Sequence, residues 1–372
     1  MLYLDHAATT PMRPGVWEAM APYAADAFGN PSGSHGVSRR AKNALEEARE
    51  RVAAHLGCAP GEVVFCGGGT EADNLAVKGP AFAAGRGGVV TVATEHEAVL
   101  ESARFLHRLG HPVTIVGVDR FGRVDPDEVA AAVGPETAVV SVMAANNETG
   151  TLQPVAEVAA AVKAANPKTA VHTDAVQAFM AGVDVDELGV DLLTLAAHKF
   201  GGPRGVGVLY VRRGVQIEPV LHGGGQEMGR RSGTVNVAGA VGMAAAMDAA
   251  AADRERFAAD VAEARRRFEA ALVGKAERTV PVDHTLVQHS HLRFAGVRND
   301  TLLIRLDRRG VAAAAGSACQ SGATTPSHVL VAMGYRPDEA RECVRFTFGW
   351  TTRPEDGDVA AGIVLDALEA NR

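Results

Sequence analysis

The chain has 372 residues, of which 47% are hydrophobic and 22% are charged, and this balance excludes a disordered chain and allows a large buried core. Its length favours two domains around a shared cleft. The net charge of −7 provides no broad basic field, which argues against direct binding of nucleic acid or of an anionic membrane.

Residues 60 to 215 alternate short apolar runs with amphipathic ones, a pattern typical of a mainly parallel sheet covered by helices. Several runs are rich in valine and almost uninterrupted, as expected of strands buried on both faces. The predicted strands are EVVFC, GGVVTVAT, PVTIVGV, TAVVSVMAA, TAVHTDA, DLLTLAA and VGVLYV. The sequence therefore predicts an α/β fold whose large domain contains a mainly parallel, seven-stranded sheet.

A proline-free stretch rich in helix formers, residues 236–274, predicts one long helix or two adjoining helices. Beyond it, the runs HSHLRFAG, VAAAAGSAC and VRFTFGW predict strands of a smaller α+β unit with helices between them. We place the domain boundary inside the helical stretch. Residues 14–255 then form the large domain, and residues 1–13 and 256–372 form the small domain.

The three glycines of GGGTEADN follow a predicted strand and precede a predicted helix. Glycines let a backbone approach a phosphate closely, and the free amides at the helix start, around Gly69 and Thr70, can bind it together with the Thr70 hydroxyl. No Lys-Ser or Lys-Thr pair follows, so the motif is not a P-loop. A tight turn without a ligand is the alternative.

One further strand end carries polar side chains. Asp174 ends a predicted strand and Gln177 follows three residues later. A pyridine-ring cofactor needs a carboxylate at its ring nitrogen, because only the protonated ring withdraws electrons strongly enough to stabilise a carbanion. Asp174 could supply that carboxylate, and Gln177 could bind the ring's phenolic oxygen. A helix cap is the alternative for Asp174.

Lys199 stands apart from the other five lysines, which lie in amphipathic or polar helical patterns. It follows the apolar run DLLTLAA, and open α/β sheets bind their ligands at the carboxyl ends of strands. Partial desolvation there would lower the pKa of the amine and make it a usable nucleophile. A structural salt bridge is the alternative.

Three other residues are candidates. His96 follows a predicted strand, where a satisfied core or turn histidine is the alternative to a catalyst. Cys319 lies among small residues in AGSACQSG, which indicates a mobile loop for a reactive thiol. Arg345 is surrounded by apolar neighbours and would be costly to bury without an anion. That anion could be a substrate carboxylate or an internal Asp or Glu.

The remaining cysteines, Cys58, Cys66 and Cys343, are predicted to be packing thiols. The four cysteines form no C-x-x-C pair, which argues against a disulfide framework or a zinc site. No apolar run approaches the roughly 20 residues needed to cross a bilayer, and the first residues do not form a signal peptide. We therefore expect a cytoplasmic protein without a membrane contact.

Over nearly its whole length the chain resembles the group I cysteine desulfurases of the NifS/IscS kind. The resemblance implies a fold-type I enzyme that uses pyridoxal 5'-phosphate (PLP), acts on L-cysteine and is a homodimer with its active site at the subunit interface. The matching motifs are YLDHAATTP, FGNPSGSH, GGGTEADN, EHEAVL, ANNETG, HTDAVQ, HKFGGPRGVGVLYVRR, HGGGQE, RRSGTVN, GSACQSG and PSHVLVAMG.

The resemblance also implies roles for individual residues around PLP. Lys199 is similar to the Schiff-base lysine, and Asp174 is similar to the residue that contacts the pyridine nitrogen. Gln177 would contact the phenolic oxygen, and His96 would stack on the ring and shuttle protons. The phosphate would be bound at the helix start and by residues of both subunits, namely Gly69, Thr70, His198 and, from the other subunit, Thr234. Ala196 departs from the pattern, because many relatives have Ser or Thr there.

For the substrate, the resemblance implies that Asn147 and Arg345 hold the carboxylate and that Cys319 accepts the sulfur. The persulfide would pass to an acceptor protein for iron-sulfur cluster assembly or for thiolation of tRNA or other molecules. One alternative is another PLP lyase of the same fold, such as one directed at selenocysteine, which needs no thiol on a loop. The other alternative is a non-catalytic binding protein, which would not need Lys199, Asp174 and His96 together.

Overall fold

The computed structural model describes residues 1–316 and 326–369. Its strands are β1 (Leu2–Tyr3), β2 (Val63–Cys66), β3 (Gly88–Val92), β4 (Val113–Val116), β5 (Thr137–Ser141), β6 (Ala170–Asp174), β7 (Leu192–Ala196), β8 (Gly207–Val211), β9 (Glu277–Arg278), β10 (His289–Arg293), β11 (Val311–Ala312) and β12 (Cys343–Thr347). Its α-helices are α1 (Val16–Ala24), α2 (Gly36–Leu56), α3 (Gly69–Ala83), α4 (Glu97–Arg108), α5 (Pro126–Ala131), α6 (Val155–Ala165), α7 (Val237–Ala252), α8 (Arg254–Ala271), α9 (Asn299–Arg308), α10 (His328–Ala332), α11 (Pro337–Ala340) and α12 (Asp356–Glu369).

The large sheet has seven strands in the order β2-β8-β7-β6-β5-β3-β4. Strand β8 runs antiparallel to both of its neighbours, and the other pairs are parallel. Strands β3, β6, β7 and β8 are buried along their whole length, whereas the edge strand β4 exposes its middle residues. The predicted mainly parallel α/β sheet is thus confirmed, and its inner strands are the ones expected to be covered on both faces.

Parallel strands bring their carboxyl ends to one edge of the sheet, and ligands of open α/β sheets bind at that edge. Four segments that follow β3, β5, β6 and β7 meet there. They carry His96, Asn147, Gln177 and Lys199, while Asp174 is the last residue of β6 itself. Residues spread over about a hundred positions of the sequence therefore share one edge because of the strand order.

The helical stretch forms two helices, α7 and α8, which meet at Asp253. Helix α7 packs on α1 and α2, and helix α8 packs on α12. The boundary that we predicted between residues 255 and 256 lies close to this junction and stays a prediction. No helix of the described part of the chain is both long and apolar enough to cross a membrane.

The C-terminal region contains an antiparallel sheet, β12-β10-β9, and a short parallel pair, β1-β11. The strand that we predicted at VAAAAGSAC is limited to the two residues of β11, followed by an isolated bridge between Ala314 and Arg345. The last residues of that run lie outside the described residues. The N-terminal segment pairs with β11 through β1 and also lies beside β12. The amide of Thr347 in β12 donates to the Leu4 carbonyl over 2.7 Å.

Candidate active site

A cavity of about 200 Å³ lies at the carboxyl edge of the large sheet. It contains every predicted site residue except two. The residues brought together are Gly69, Thr70, His96, Asn147, Asp174, Gln177, His198, Lys199 and Arg345. The exceptions are Thr234, which is exposed and does not line this cavity, and Cys319, which lies outside the described residues.

The Lys199 amine is held in this cavity by the N-terminal segment. A single helical turn, Ala197–Lys199, follows the buried strand β7 and directs the side chain toward the sheet edge. The Lys199 Nζ donates to the carbonyl oxygens of Ala7 at 2.6 Å and Ala8 at 3.0 Å. The two carbonyl acceptors orient the amine in the cavity, where its deprotonated form could bond the carbon of an aldehyde.

Asp174 ends β6 before a turn and caps no helix, since the next helical turn, Phe179–Ala181, has Ala178 as its N-cap. Its Oδ1 accepts a hydrogen bond from the Val176 amide at 2.9 Å and so holds that turn. The side chain also lines the cavity, and it is buried. Burial raises the pKa of Asp174, and the nearby His96 and Lys199 offset this rise only in part. A cationic ring nitrogen bound beside it would favour the charged carboxylate.

Two additional buried acids lie near Asp174, and neither is among the residues predicted from the sequence. Asp73 lies one helical turn after Gly69 and lines the same cavity, while Glu95 directly precedes His96. Burial, followed by repulsion from Asp174, raises the pKa of each well above its ordinary value. The same shift favours the protonated form of both acids, which lessens their repulsion of a charge on Asp174. Helical spacing from Gly69 was the available signal for Asp73.

The start of helix α3 forms the end of the cavity at Gly69 and Thr70. The N-cap residue Gly68 has no side chain that could satisfy the first amides of the helix. A β-carbon at Gly69 would lie 3.2 Å from Val176 and 3.5 Å from Ala196, so glycine lets the helix start approach the sheet closely. Free amides beside a hydroxyl form a suitable site for a phosphate.

His198 lies next to this helix start. Its Nδ1 is 3.1 Å from the Thr9 hydroxyl, and burial with the nearby Lys199 and Arg204 lowers its pKa to about 4. The ring is therefore neutral at physiological pH and can donate one hydrogen bond to a phosphate. A wider recess of about 660 Å³ adjoins it, and Arg204 and Arg231 are among its lining residues.

The remaining polar residues of the cavity are held by the backbone. The Gln177 amide donates to the Ala7 carbonyl over 2.9 Å. His96 caps helix α4, because its Nδ1 accepts from the Ala98 amide at 3.1 Å. This hydrogen bond assigns the acceptor role to Nδ1 and leaves Nε2 to carry the proton in the neutral ring. His96 is thus both a cap and a cavity residue.

Arg345 has an internal acid as its partner, which was one of the two alternatives. Its Nη2 lies 2.6 Å from Oδ1 of Asp5, and its Nη1 donates to the Asn147 carbonyl over 2.7 Å. Its Nε has no acceptor among residues 1–316 and 326–369. Because Arg345 also lines the cavity, a ligand carboxylate could still bind the remaining donors.

The cysteines outside the predicted loop have properties of packing thiols. Burial raises the pKa of Cys58 and of Cys343 to about 12, and it also raises the pKa of Cys66. A thiol with such a pKa is protonated at neutral pH and is a poor nucleophile. None of the three lines the cavity.

Buried neutral histidines predict a loss of stability in acid. Burial lowers the pKa of His172 and of His291 to about 3 and that of His289 well below its usual value, with Arg345 adding to the effect for the latter two. The unfolded chain binds protons at these positions below about pH 6.5, but the folded chain does not. Each should therefore reduce the free energy of unfolding by up to roughly 1.4 kcal/mol per pH unit between about pH 6 and 4.

Urea unfolding between pH 7.5 and 4.5 measures this slope. The variant His172→Gln should reduce the slope by up to one proton, whereas His107→Gln, at an exposed position of α4, should leave it unchanged. An equal slope in wild type and His172→Gln would show that His172 does not remain neutral in the folded chain.

Comparisons with known proteins agree with this geometry. A family model described as Aminotransferase class-V matches residues 2–359. The chain is 42% identical to a cysteine desulfurase IscS of Dictyoglomus turgidum and 40% identical to one of Methanosarcina thermophila, across 99% and 100% of this chain and 93% of each relative. A solved NifS-like protein is 36% identical, with a TM-score of 0.93 over 99% of both chains. SspA in complex with cysteine is 34% identical, with a TM-score of 0.82 over 94% of this chain and 99% of that one.

Proposed function

We infer the roles of the active-site residues from one premise: the chain belongs to the class-V aminotransferase family and is a PLP-dependent cysteine desulfurase. The observation that carries these roles is the shared cavity in which the Lys199 amine and the Asp174 carboxyl face one ligand space. An aldehyde with a pyridine ring requires both groups, one at each end of its conjugated system.

The donor set of the cavity fits PLP. Lys199 would bond the aldehyde carbon, and Asp174 would pair with the ring nitrogen. The phosphate would bind the amides and hydroxyl at the start of α3 together with the neutral His198. Gln177, which lines the cavity, would contact the phenolic oxygen, and Ala196 offers only a methyl group where a hydroxyl would add one more phosphate donor.

PLP, when bound, supplies an electron-withdrawing ring that acidifies the α-proton of an amino acid joined to it. In our proposal the freed Lys199 amine removes that proton and His96 moves a further proton at the substrate. Arg345 and the Asn147 side chain orient the substrate carboxylate, so that the α-carbon lies beside Lys199. The partners of Arg345 and Lys199 in the N-terminal segment fix both side chains before substrate enters.

Cys319 is the proposed sulfur acceptor. Its thiolate would attack the substrate sulfur, a sulfur-sulfur bond would form, and the carbon-sulfur bond would break with its electron pair staying on the organic product. Addition of protons then yields alanine. The sum is L-cysteine plus protein thiol giving L-alanine plus protein persulfide, and no external oxidant is needed.

Three wider roles belong to the same proposal. The persulfide is passed to an acceptor protein for iron-sulfur cluster assembly or thiolation of tRNA or other molecules. A homodimer would bring Thr234 of each chain to the other active site, which is supported by its exposure outside the cavity of a single chain. The enzyme would act in the cytoplasm, in keeping with the unpaired thiols of Cys58, Cys66 and Cys343.

The role of Asp174 is tested by Asp174→Asn, which keeps the shape and the oxygen that holds the turn but removes the charge. We expect turnover of L-cysteine to alanine to fall by roughly 10²–10³-fold, because the ring nitrogen loses its anionic partner. The visible absorbance of bound PLP should change as well. Both are measured on the purified variant, with alanine quantified by chromatography.

Asp125→Asn is the matched control. Asp125 accepts the same kind of hydrogen bond, from the amide two residues later at 2.9 Å, and it caps helix α5. Asp125 is exposed and does not line the cavity. This variant should keep wild-type turnover and absorbance. If Asp174→Asn were also as active as wild type, Asp174 would only hold the turn after β6, and another group would have to stabilise the ring charge.

A further inference from the structure

The charge of Arg345 is already paired in the folded chain. The guanidinium is 1% exposed, and its partner Asp5 lies 340 residues earlier in the sequence. Nη2 of Arg345 and Oδ1 of Asp5 are 2.6 Å apart. A buried arginine with a carboxylate at this distance is close to electrically neutral as a pair, so any second anion that approaches meets little net attraction.

The backbone holds Asp5 beside Arg345. Asp5 forms a bridge with Thr347 of β12, and the amides of His6 and Ala7 donate to the carbonyl and the hydroxyl of Thr347. Arg345 and Thr347 lie two positions apart on the same strand, so their side chains share one face. These backbone contacts fix the place of the Asp5 carboxylate beside Arg345 without help from a ligand.

Donors of Arg345 remain for a ligand. A guanidinium has five N–H groups, and one each is used by Asp5 and by the Asn147 carbonyl. Nε is buried and has no acceptor within the described ranges, although a buried donor normally has one. Arg345 lines the same cavity as Lys199. A ligand carboxylate can thus bind Arg345 next to Asp5 without displacing it.

We propose that Asp5 is a positioning residue that acts through Arg345 and weakens the binding of the substrate and product carboxylates. Its charge cancels that of Arg345, and its oxygen fixes the orientation of the guanidinium. The product is therefore released more readily. This proposal rests on the proposed role of Arg345 in holding the carboxylate. Selection of the substrate then depends on the geometry of an α-amino acid and less on the charge of its carboxylate. The alanine product dissociates more readily than it would from a site whose arginine had no acidic partner.

The variant Asp5→Asn separates charge from geometry, because asparagine keeps an oxygen that accepts from Nη2 but carries no charge. Removal of a neighbouring negative charge in a buried site should tighten the binding of a carboxylate by about tenfold. We would titrate the PLP-loaded enzyme with L-alanine and follow the visible absorbance of the cofactor to obtain Kd.

Ethylamine serves as the matched ligand, because it is alanine without the carboxylate and binds through the same amine. The Kd of ethylamine should not change in Asp5→Asn. A change that is seen for L-alanine but not for ethylamine reports on the carboxylate, because a general loosening of the site would alter the binding of both ligands. Asp300→Asn is the control variant, since it neutralises an aspartate paired with Arg298 at the surface. It should bind both ligands as wild type does, and thermal unfolding checks that each variant is folded.

Arg345→Ala makes the outcomes distinguishable. Weaker L-alanine binding in Arg345→Ala, together with tighter binding in Asp5→Asn, supports the proposal. If Arg345→Ala weakens L-alanine binding but Asp5→Asn leaves it unchanged or weakens it, the role of Asp5 is overturned and that of Arg345 stands. Unchanged binding in Arg345→Ala overturns both, and equal tightening for ethylamine in Asp5→Asn overturns the role of Asp5.

Discussion

Replacement of Lys199 by alanine is expected to lower the release of alanine from L-cysteine by at least roughly 10³-fold, because in our proposal one amine serves as both the point of covalent attachment and the general base. The purified variant should also lose the visible absorbance that comes from PLP bonded to the lysine. Alanine by chromatography, sulfide in the presence of a reductant and the absorbance spectrum measure the three effects.

Lys163→Ala is a matched control for the loss of an amine. The Lys163 Nζ also donates to a backbone carbonyl, that of Thr169 at 2.9 Å, but it pairs with Asp191 and does not line the cavity. This variant should keep its colour and its turnover. If Lys199→Ala retained the covalent absorbance, a different lysine would have to bond the cofactor, and the proposed site would be misplaced.

Replacement of Cys319 by alanine is expected to keep the PLP absorbance and to abolish the release of alanine. The cofactor site needs no thiol, whereas the breaking of the carbon-sulfur bond in our proposal needs a thiolate to accept the sulfur. Turnover and absorbance are measured as for Lys199→Ala, and persulfide on the wild-type cysteine is detected by mass spectrometry of the alkylated protein.

Cys58→Ala provides the comparison, since Cys58 is a partly exposed thiol with a pKa of about 12 and does not line the cavity. It should behave as wild type in every assay. Full activity of Cys319→Ala would contradict the persulfide mechanism, and the enzyme would then have to break the carbon-sulfur bond without a protein thiol, as a PLP lyase does.

The part of the site that could be predicted lies at strand ends. Asp174 and Lys199 were identified because an apolar run long enough for a buried strand precedes each of them, and the strand-end rule then places them at one edge. Gly69 and Thr70 were identified from glycines before a helix start. Each of these signals is local, spanning fewer than about ten residues, and so it is visible without knowledge of the fold.

The part that was missed depends on burial and on contacts distant in sequence. Asp73 and Glu95 look like ordinary helix and loop acids, and only the packing of α3 and of the segment after β3 against the sheet removes their water and raises their pKa. The choice between a substrate and an internal acid for Arg345 also could not be made, since Asp5 is 340 residues away.

The sequence by itself determined the α/β architecture and the strands of the large sheet, and it provided candidate residues for a PLP site, because periodicity, strand-end position and motif order are properties of the chain alone. Only the tertiary structure decided which of these side chains share a cavity and what holds them there. The N-terminal segment is the clearest case: β1 pairs with β11, and this pairing carries Asp5 to Arg345 and the carbonyl of Ala7 to Lys199. No local pattern specifies such a pairing, since its free energy comes from burial and hydrogen bonds between segments that meet only when the chain is folded.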